Sequence, residues 1–245
     1  MARSNEFFLE GTDRRTFLRT GWVAGAGLFV PAVTEGAQRA RGTQPGKGET
    51  EEEVAPPEDL MREHGVLKRV LLVYGEAIRR IDARHDLPPE AVRGGADVIR
   101  TFIEDYHEKL EEDYLFPRFE KAGRLTDLTK VLRAQHQAGR RVTEQITGLA
   151  TAQSLKDAQS AGRLRDLLQQ FVRMYEPHEA REDTVLFPAL RSVVSKHEFA
   201  ALGEDFEKKE HQLFGEEGFE KMVDRVATIE KSLGIYDLAQ FTPKI

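Results

Sequence analysis

The chain has 245 residues, with 36 Lys and Arg against 42 Asp and Glu, a formal net charge of -6, and no cysteine. Disulfides, thiolate ligands and cysteine nucleophiles are therefore excluded, and any bound metal must rest on imidazole and carboxylate groups. Such a ligand set favours iron, manganese or zinc. The acidic balance gives no reason to expect nucleic-acid binding. No stretch is apolar for long enough to span a bilayer as a mature helix. With 8% aromatic residues and abundant Leu, Ala, Glu, Arg and Lys, the composition points to an all-α protein.

Residues 1–41 read as an export signal. Asp13–Arg14–Arg15–Thr16–Phe17–Leu18–Arg19 resembles the twin-arginine consensus, and a Gly/Ala-rich apolar stretch follows from Gly21 to Val33. The expectation is export by the twin-arginine machinery to a periplasmic or extracellular location, with no stable membrane span once the signal is removed. That route carries folded proteins, which suits a metal protein assembled before export. Residues 42–57, with Pro45, the acidic run Glu49–Glu53 and Pro56–Pro57, read as a solvated linker.

From Glu58 to about Arg84, Leu60, His64, Leu67, Leu71, Tyr74, Ile78 and Ile81 recur at spacings of four and three, one apolar face of a helix. A second helix is predicted from about Pro89 to Phe116, with Ile99, Ile103, Tyr106, Leu110 and Tyr114 inward and His107 and Glu111 beside them. Pro117 is expected to end it, because proline disfavours helical geometry at the preceding residue. A third, from about Leu125 to Leu149, places His136 on the face of Leu132. In the fourth, Leu164, Leu168, Phe171, Tyr175, His178, Glu182, Val185 and Ala189 form an unbroken four-three pattern. These four elements, residues 58–195, predict an antiparallel four-helix bundle. Residues 196–245 form a C-terminal extension with a further helix, about Lys196 to Leu233. It carries Phe199, Leu202, Phe206, Leu213, Phe214, Met222, Val226 and Ile229, and Gly215 and Gly218 are placed to bend or divide it.

The chemistry lies in a duplication. His107–Glu108–Lys109–Leu110–Glu111 and His178–Glu179–Ala180–Arg181–Glu182 are the same H-E-x-x-E motif, 71 residues apart, and each runs on to Leu-Phe-Pro. A lone His precedes each, His64 and His136, 72 residues apart. Residues i and i+4 share a helix face, so His107 with Glu111, and His178 with Glu182, each aim a nitrogen and a carboxylate at one point. A seam carboxylate buried without a partner is costly, and two facing ones repel. A pair of divalent cations removes both problems. The candidate metal ligands are therefore His64, His107, Glu111, His136, His178 and Glu182. The two Glu would bridge, with the imidazoles divided two and two or three and one. The ferritin-like E-x-x-H spacing occurs at Glu104–His107 but fails at Tyr175–His178, so that ligation is disfavoured.

With these residues the chain resembles the hemerythrin-like, HHE cation-binding family across roughly residues 58–195. The resemblance implies a hemerythrin-like four-helix bundle and a non-haem di-iron centre with two bridging carboxylates. Two iron ions are the implied cofactor, with manganese or zinc as alternatives. It implies a protein that binds or senses O2, NO, peroxide or iron, or alternatively a peroxidase, ferroxidase or NO-reducing oxidoreductase at the same site. In either case the partner is a small diatomic or peroxide ligand. Two features depart from the oxygen carriers: they have H-x-x-x-H on the third helix, where here the second His is Arg140, and on the fourth helix they use an Asp at i+5 where here Glu182 stands at i+4. Glu108 and His211 are the candidates to fill that gap. His85 and His197 fall at helix ends and are expected to be solvated. Tyr106, Tyr114 and Tyr175 are expected in the core near the ligands with their hydroxyls satisfied.

Overall fold

The computed structural model describes residues 54–244. Residues 1–41, expected to be an export signal, and residues 42–53 of the expected linker lie outside the described residues. Every regular element among the described residues is helical.

Helix α1, Pro56–Ala83, begins with Pro56 and Pro57 in its first turn, where a proline's missing N–H is no loss. Glu58 and Asp59 follow, favourable charges at a helix N-terminus. Helix α2 covers residues 89–121 and α3 is Thr126–Leu149. A short turn of helix, Ala152–Lys156, leads into α4, residues 158–189, whose N-cap Asp157 accepts from the Ser160 amide at 2.8 Å. The four pack in a ring, α1 on α2, α2 on α3, α3 on α4 and α4 back on α1. Short connections make successive helices antiparallel, the four-helix bundle expected from the apolar stripes. Leu60, Leu67, Tyr74, Leu132, Leu168 and Phe171 are fully buried inside it.

The C-terminal extension is divided. Helix α5, Lys196–Phe214, opens with a reciprocal capping box between Ser195 and Glu198, and α6 is Gly218–Leu233. The break is at Gly215, whose φ of 81° suits glycine. Helix α6 packs on α1 and α2, while α5 packs on α1 and α6. Arg69 of α1 clamps Glu230 of α6 through two bonds of 3.0 and 2.5 Å. Leu213, expected on the apolar face, is exposed. No helix among the described residues is long and apolar enough to cross a membrane.

Pro117 does not end the second helix. Phe116 keeps helical angles and the chain stays helical to Lys121. A proline ring collides with the carbonyl four residues back. Here the preceding turn, Glu111–Leu115, takes one extra residue, so that the Phe116 amide donates to the Glu111 carbonyl, five residues back. The fourth helix does the same at Glu182–Leu186 before Pro188, with Phe187 donating to Glu182. These wide turns shift the buried face by one residue. Leu115 and Leu186 are fully buried, whereas Tyr114 and Val185, expected inward from a regular four-three pattern, are only half-buried.

Candidate metal centre

All six residues singled out from the sequence meet in the bundle interior, each no more than 4% exposed. Helix α1 supplies His64, α2 supplies His107 and Glu111, α3 supplies His136, and α4 supplies His178 and Glu182. The imidazoles converge as two pairs: Nε2 of His64 lies 3.0 Å from Nε2 of His107, and Nε2 of His136 lies 3.3 Å from Nε2 of His178. The carboxylates span the pairs. Glu182 lies 3.4 Å from His64 and 3.1 Å from His178, and Glu111 lies 3.9 Å from His107 and 3.4 Å from His136. None of the four oxygens of Glu111 and Glu182 has a properly aligned hydrogen-bond partner among the described residues.

The outward nitrogens are all engaged. Nδ1 of His64 meets Asp183 at 2.8 Å, and Nδ1 of His107 meets Glu63 at 2.7 Å. Nδ1 of His136 meets Glu112 at 3.1 Å, and Nδ1 of His178 meets the Gln135 side-chain oxygen at 2.9 Å. A carboxylate or amide oxygen can only accept, so each Nδ1 carries the proton and donates it. In a neutral ring this leaves Nε2 as a bare lone pair facing the centre. Two such lone pairs at 3 Å repel unless a cation or proton lies between them. Metal-ligating histidines commonly show this outward donation, which fixes ring orientation and raises ligand basicity.

The electrostatics agree. Without a metal ion the cluster divides protons unevenly. Burial disfavours the charged form of His64, yet the Asp183 and Glu182 carboxylates outweigh it and push the ring up to about 9. Burial and the neighbouring His64 charge drive His107 well below its ordinary value. Burial and the Glu182 charge push Glu111 well above the usual carboxylate range. Glu182 is held low: burial opposes ionisation, but the charges of His178 and His64, at 3.1 and 3.4 Å, prevail. Buried donors aimed at one another, with carboxylate oxygens unsatisfied between them, fit a site for divalent cations.

Four contributors were not singled out from the sequence: Glu63, Gln135, Glu112 and Asp183. Their signal was present. Glu63 and Gln135 each precede a lone His, and Glu112 and Asp183 each follow the Glu of an H-E-x-x-E copy. The support also crosses between halves. His64, from the first half, is held by Asp183 and stacked by Phe187, both from the second, at a ring separation of 5.4 Å. His136 is held by Glu112 and stacked by Phe116, both from the first, at 5.6 Å. The repeated Leu-Phe-Pro therefore has a local purpose: its wide turn delivers the Phe onto the imidazole of the opposite half.

Arg140 does not leave a gap for another ligand. It reaches Glu108 at 2.8 Å and Glu112 at 2.9 Å. Lys68, four residues after His64 as Arg140 is after His136, pairs with Glu179 in the equivalent way. Burial pushes the Glu108 carboxyl up to about 8, against the pull of Tyr175 and Arg140. Glu108 is thus drawn into a bond network, accepting from the Tyr175 hydroxyl at 2.7 Å. Helix α3 leaves room for that hydroxyl because residue 139 is glycine: a Cβ there would come within 2.1 Å of it. His211 is exposed and away from the centre, as are His85 and His197. Glu104 is buried, but it pairs with Arg100 at 2.6 Å rather than with the imidazoles. Tyr106 donates to Glu63 at 3.0 Å, and Tyr114 packs edge-on against Phe206.

A four-helix bundle enclosing four histidines and two carboxylates defines a class, the metal-binding helical bundles. The hemerythrin HHE cation binding domain model matches residues 55–163 and 147–243. The chain belongs to that family. It is 55% identical over 206 residues to an uncharacterized protein of Mycobacterium bovis, covering 82% of this chain and 81% of the relative. Uncharacterized proteins of two Mycobacterium tuberculosis strains match to the same extent. No solved structure matches.

Proposed function

We propose that the protein is an exported non-haem di-iron protein that binds or senses O2, NO, peroxide or iron at a carboxylate-bridged dinuclear site. The observation that carries this reading is the arrangement of four Nε2 atoms in two facing pairs, each pair touched by both Glu111 and Glu182. His64 and His107 would hold one ion, His136 and His178 the other, with the two carboxylates shared between them. Six protein ligands on two octahedral ions leave positions for a small ligand, and iron supplies there the capacity to bind O2, NO or peroxide. Manganese or zinc would fit the same donors. The protein's own contribution is to orient the imidazoles through their Nδ1 bonds, to neutralise the ions with buried carboxylates, and to exclude bulk water with Phe116 and Phe187.

An oxidoreductase at the same site, a peroxidase, ferroxidase or NO-reducing enzyme, is favoured by one feature. Tyr106 and Nδ1 of His107 both donate to Glu63, at 3.0 and 2.7 Å, so that a phenol lies one carboxylate away from an imidazole of the centre. The optical spectrum of the iron-loaded protein decides between the two. Reversible changes with O2, NO or azide and no turnover support binding. Sustained turnover of peroxide or Fe(II), well above that of His107→Ala, supports catalysis. An unchanged spectrum with every ligand would defeat both.

Export rests on Arg14 and Arg15. Replacing both with Lys is expected to hold the full chain in the cytoplasm, read by fractionation. Unchanged export of that variant would remove the twin-arginine route.

A further inference from the structure

The two half-sites are copies in sequence, but their supports are not equivalent. Three of the four imidazoles donate Nδ1–H to a carboxylate: His64 to Asp183, His107 to Glu63 and His136 to Glu112. His178 donates to Gln135, the one neutral acceptor of the four. A carboxylate in this position draws the Nδ1 proton and gives the ring more imidazolate character, so that Nε2 becomes a stronger donor; an amide oxygen does so much less. A second difference acts the same way. Glu112, behind His136, shares its charge with Arg140 at 2.9 Å and Lys109 at 2.6 Å. Asp183, behind His64, has no ion pair with Lys or Arg among the described residues. The pair His136 and His178 is therefore backed by one compensated carboxylate and one amide, and the pair His64 and His107 by two carboxylates.

We propose that the two halves of the centre bind their ions unequally, with the His64 and His107 position filling first and Gln135 weakening the other. This rests on the dinuclear reading above. Gln135 is a positioning residue in this account, since it acts only through His178. The ion held by His136 and His178 is then the exchangeable one, and a chain with a single ion carries it on α1 and α2.

The test is an anaerobic Fe(II) titration of the metal-free full chain, followed by calorimetry and equilibrium dialysis. Wild type should bind two ions in two steps separated by about tenfold or more, the scale on which such supporting bonds alter metal affinity. Gln135→Glu should tighten the weaker step alone and bring the two together. Asp183→Asn should weaken the tighter step alone. His178→Ala should keep the tight step, and His64→Ala should lose it. Far-UV circular dichroism of each metal-free variant confirms that it folds, and the two conservative exchanges remain informative if an Ala variant does not. Two ions bound with equal affinity would overturn the proposal. So would Gln135→Glu acting on the tighter step, or on neither. Fewer than two ions in wild type would instead overturn the dinuclear reading, and this inference with it.

Discussion

Glu111→Gln is expected to stabilise the metal-free protein and to destroy its response to metal. Glu111 is fully buried, and burial together with the Glu182 charge raises its carboxyl well above the usual range. A carboxyl raised on folding destabilises the folded state at every pH above its unfolded value, because folding must then take up a proton. A neutral amide of the same shape removes that penalty. The gain should be on the order of 1–3 kcal/mol at neutral pH, the cost of a poorly satisfied buried polar group. It should shrink as the pH falls toward 4, where the unfolded carboxyl is protonated too. With iron present the order reverses. An ion at about a hundred times its dissociation constant stabilises wild type by about 2.7 kcal/mol, and the variant lacks the carboxylate that lies against both histidine pairs. Chemical denaturation with and without iron, alongside metal analysis, checks both halves. Equal stability of wild type and variant in both conditions would show that Glu111 is neither strained nor a ligand.

Arg140→Ala is expected to cost on the order of 3 kcal/mol of folding stability, the scale for removing one partner of a buried ion pair. Arg140 is mostly buried and serves Glu108 and Glu112 together. Glu112 is held well below the usual carboxylate range: burial opposes this, but His136 and Arg140 prevail, and with Arg140 gone only Lys109 at 2.6 Å is left as a cationic partner. Glu108 behaves differently, since burial already places it at about 8. Below that pH it is protonated in wild type and variant alike and adds little to the difference. Above it, wild-type Glu108 ionises beside Arg140 while the variant's stays protonated to higher pH, so the deficit should grow as the pH rises past about 8. Denaturation midpoints at pH 6 and pH 9 measure this. A deficit independent of pH would show that Glu108 is not ionising there.

Much of the site was legible before folding. His64, His107, Glu111, His136, His178 and Glu182 lie on apolar stripes of period three and four, and a polar group on such a stripe has to enter the core. The residues around them were not legible in the same way. Gln135 and Asp183 are only half-buried and lie off the stripes. What makes each matter is an imidazole arriving from another helix, which helical phasing along one element cannot report. Leu115 and Leu186 were missed for a local reason. The extra residue in each wide turn before Pro117 and Pro188 moves the buried face by one position, and a regular period cannot anticipate it. Arg140 was noticed as a missing imidazole, but its actual partners come from α2.

The sequence by itself determined the all-α class, the four amphipathic helices and the duplication that puts one set of candidate ligands in each half. These follow from periodicity, which depends only on the rise and twist of a helix. Tertiary structure decided how the six groups divide. His64 meets His107 and His136 meets His178, each Glu spans both pairs, and each half is braced by a carboxylate and a Phe of the other. It also decided that the copies differ, since Gln135 matters only because α3 brings it to His178. Distances between side chains on different helices depend on how whole helices pack, and no spacing along one chain encodes that.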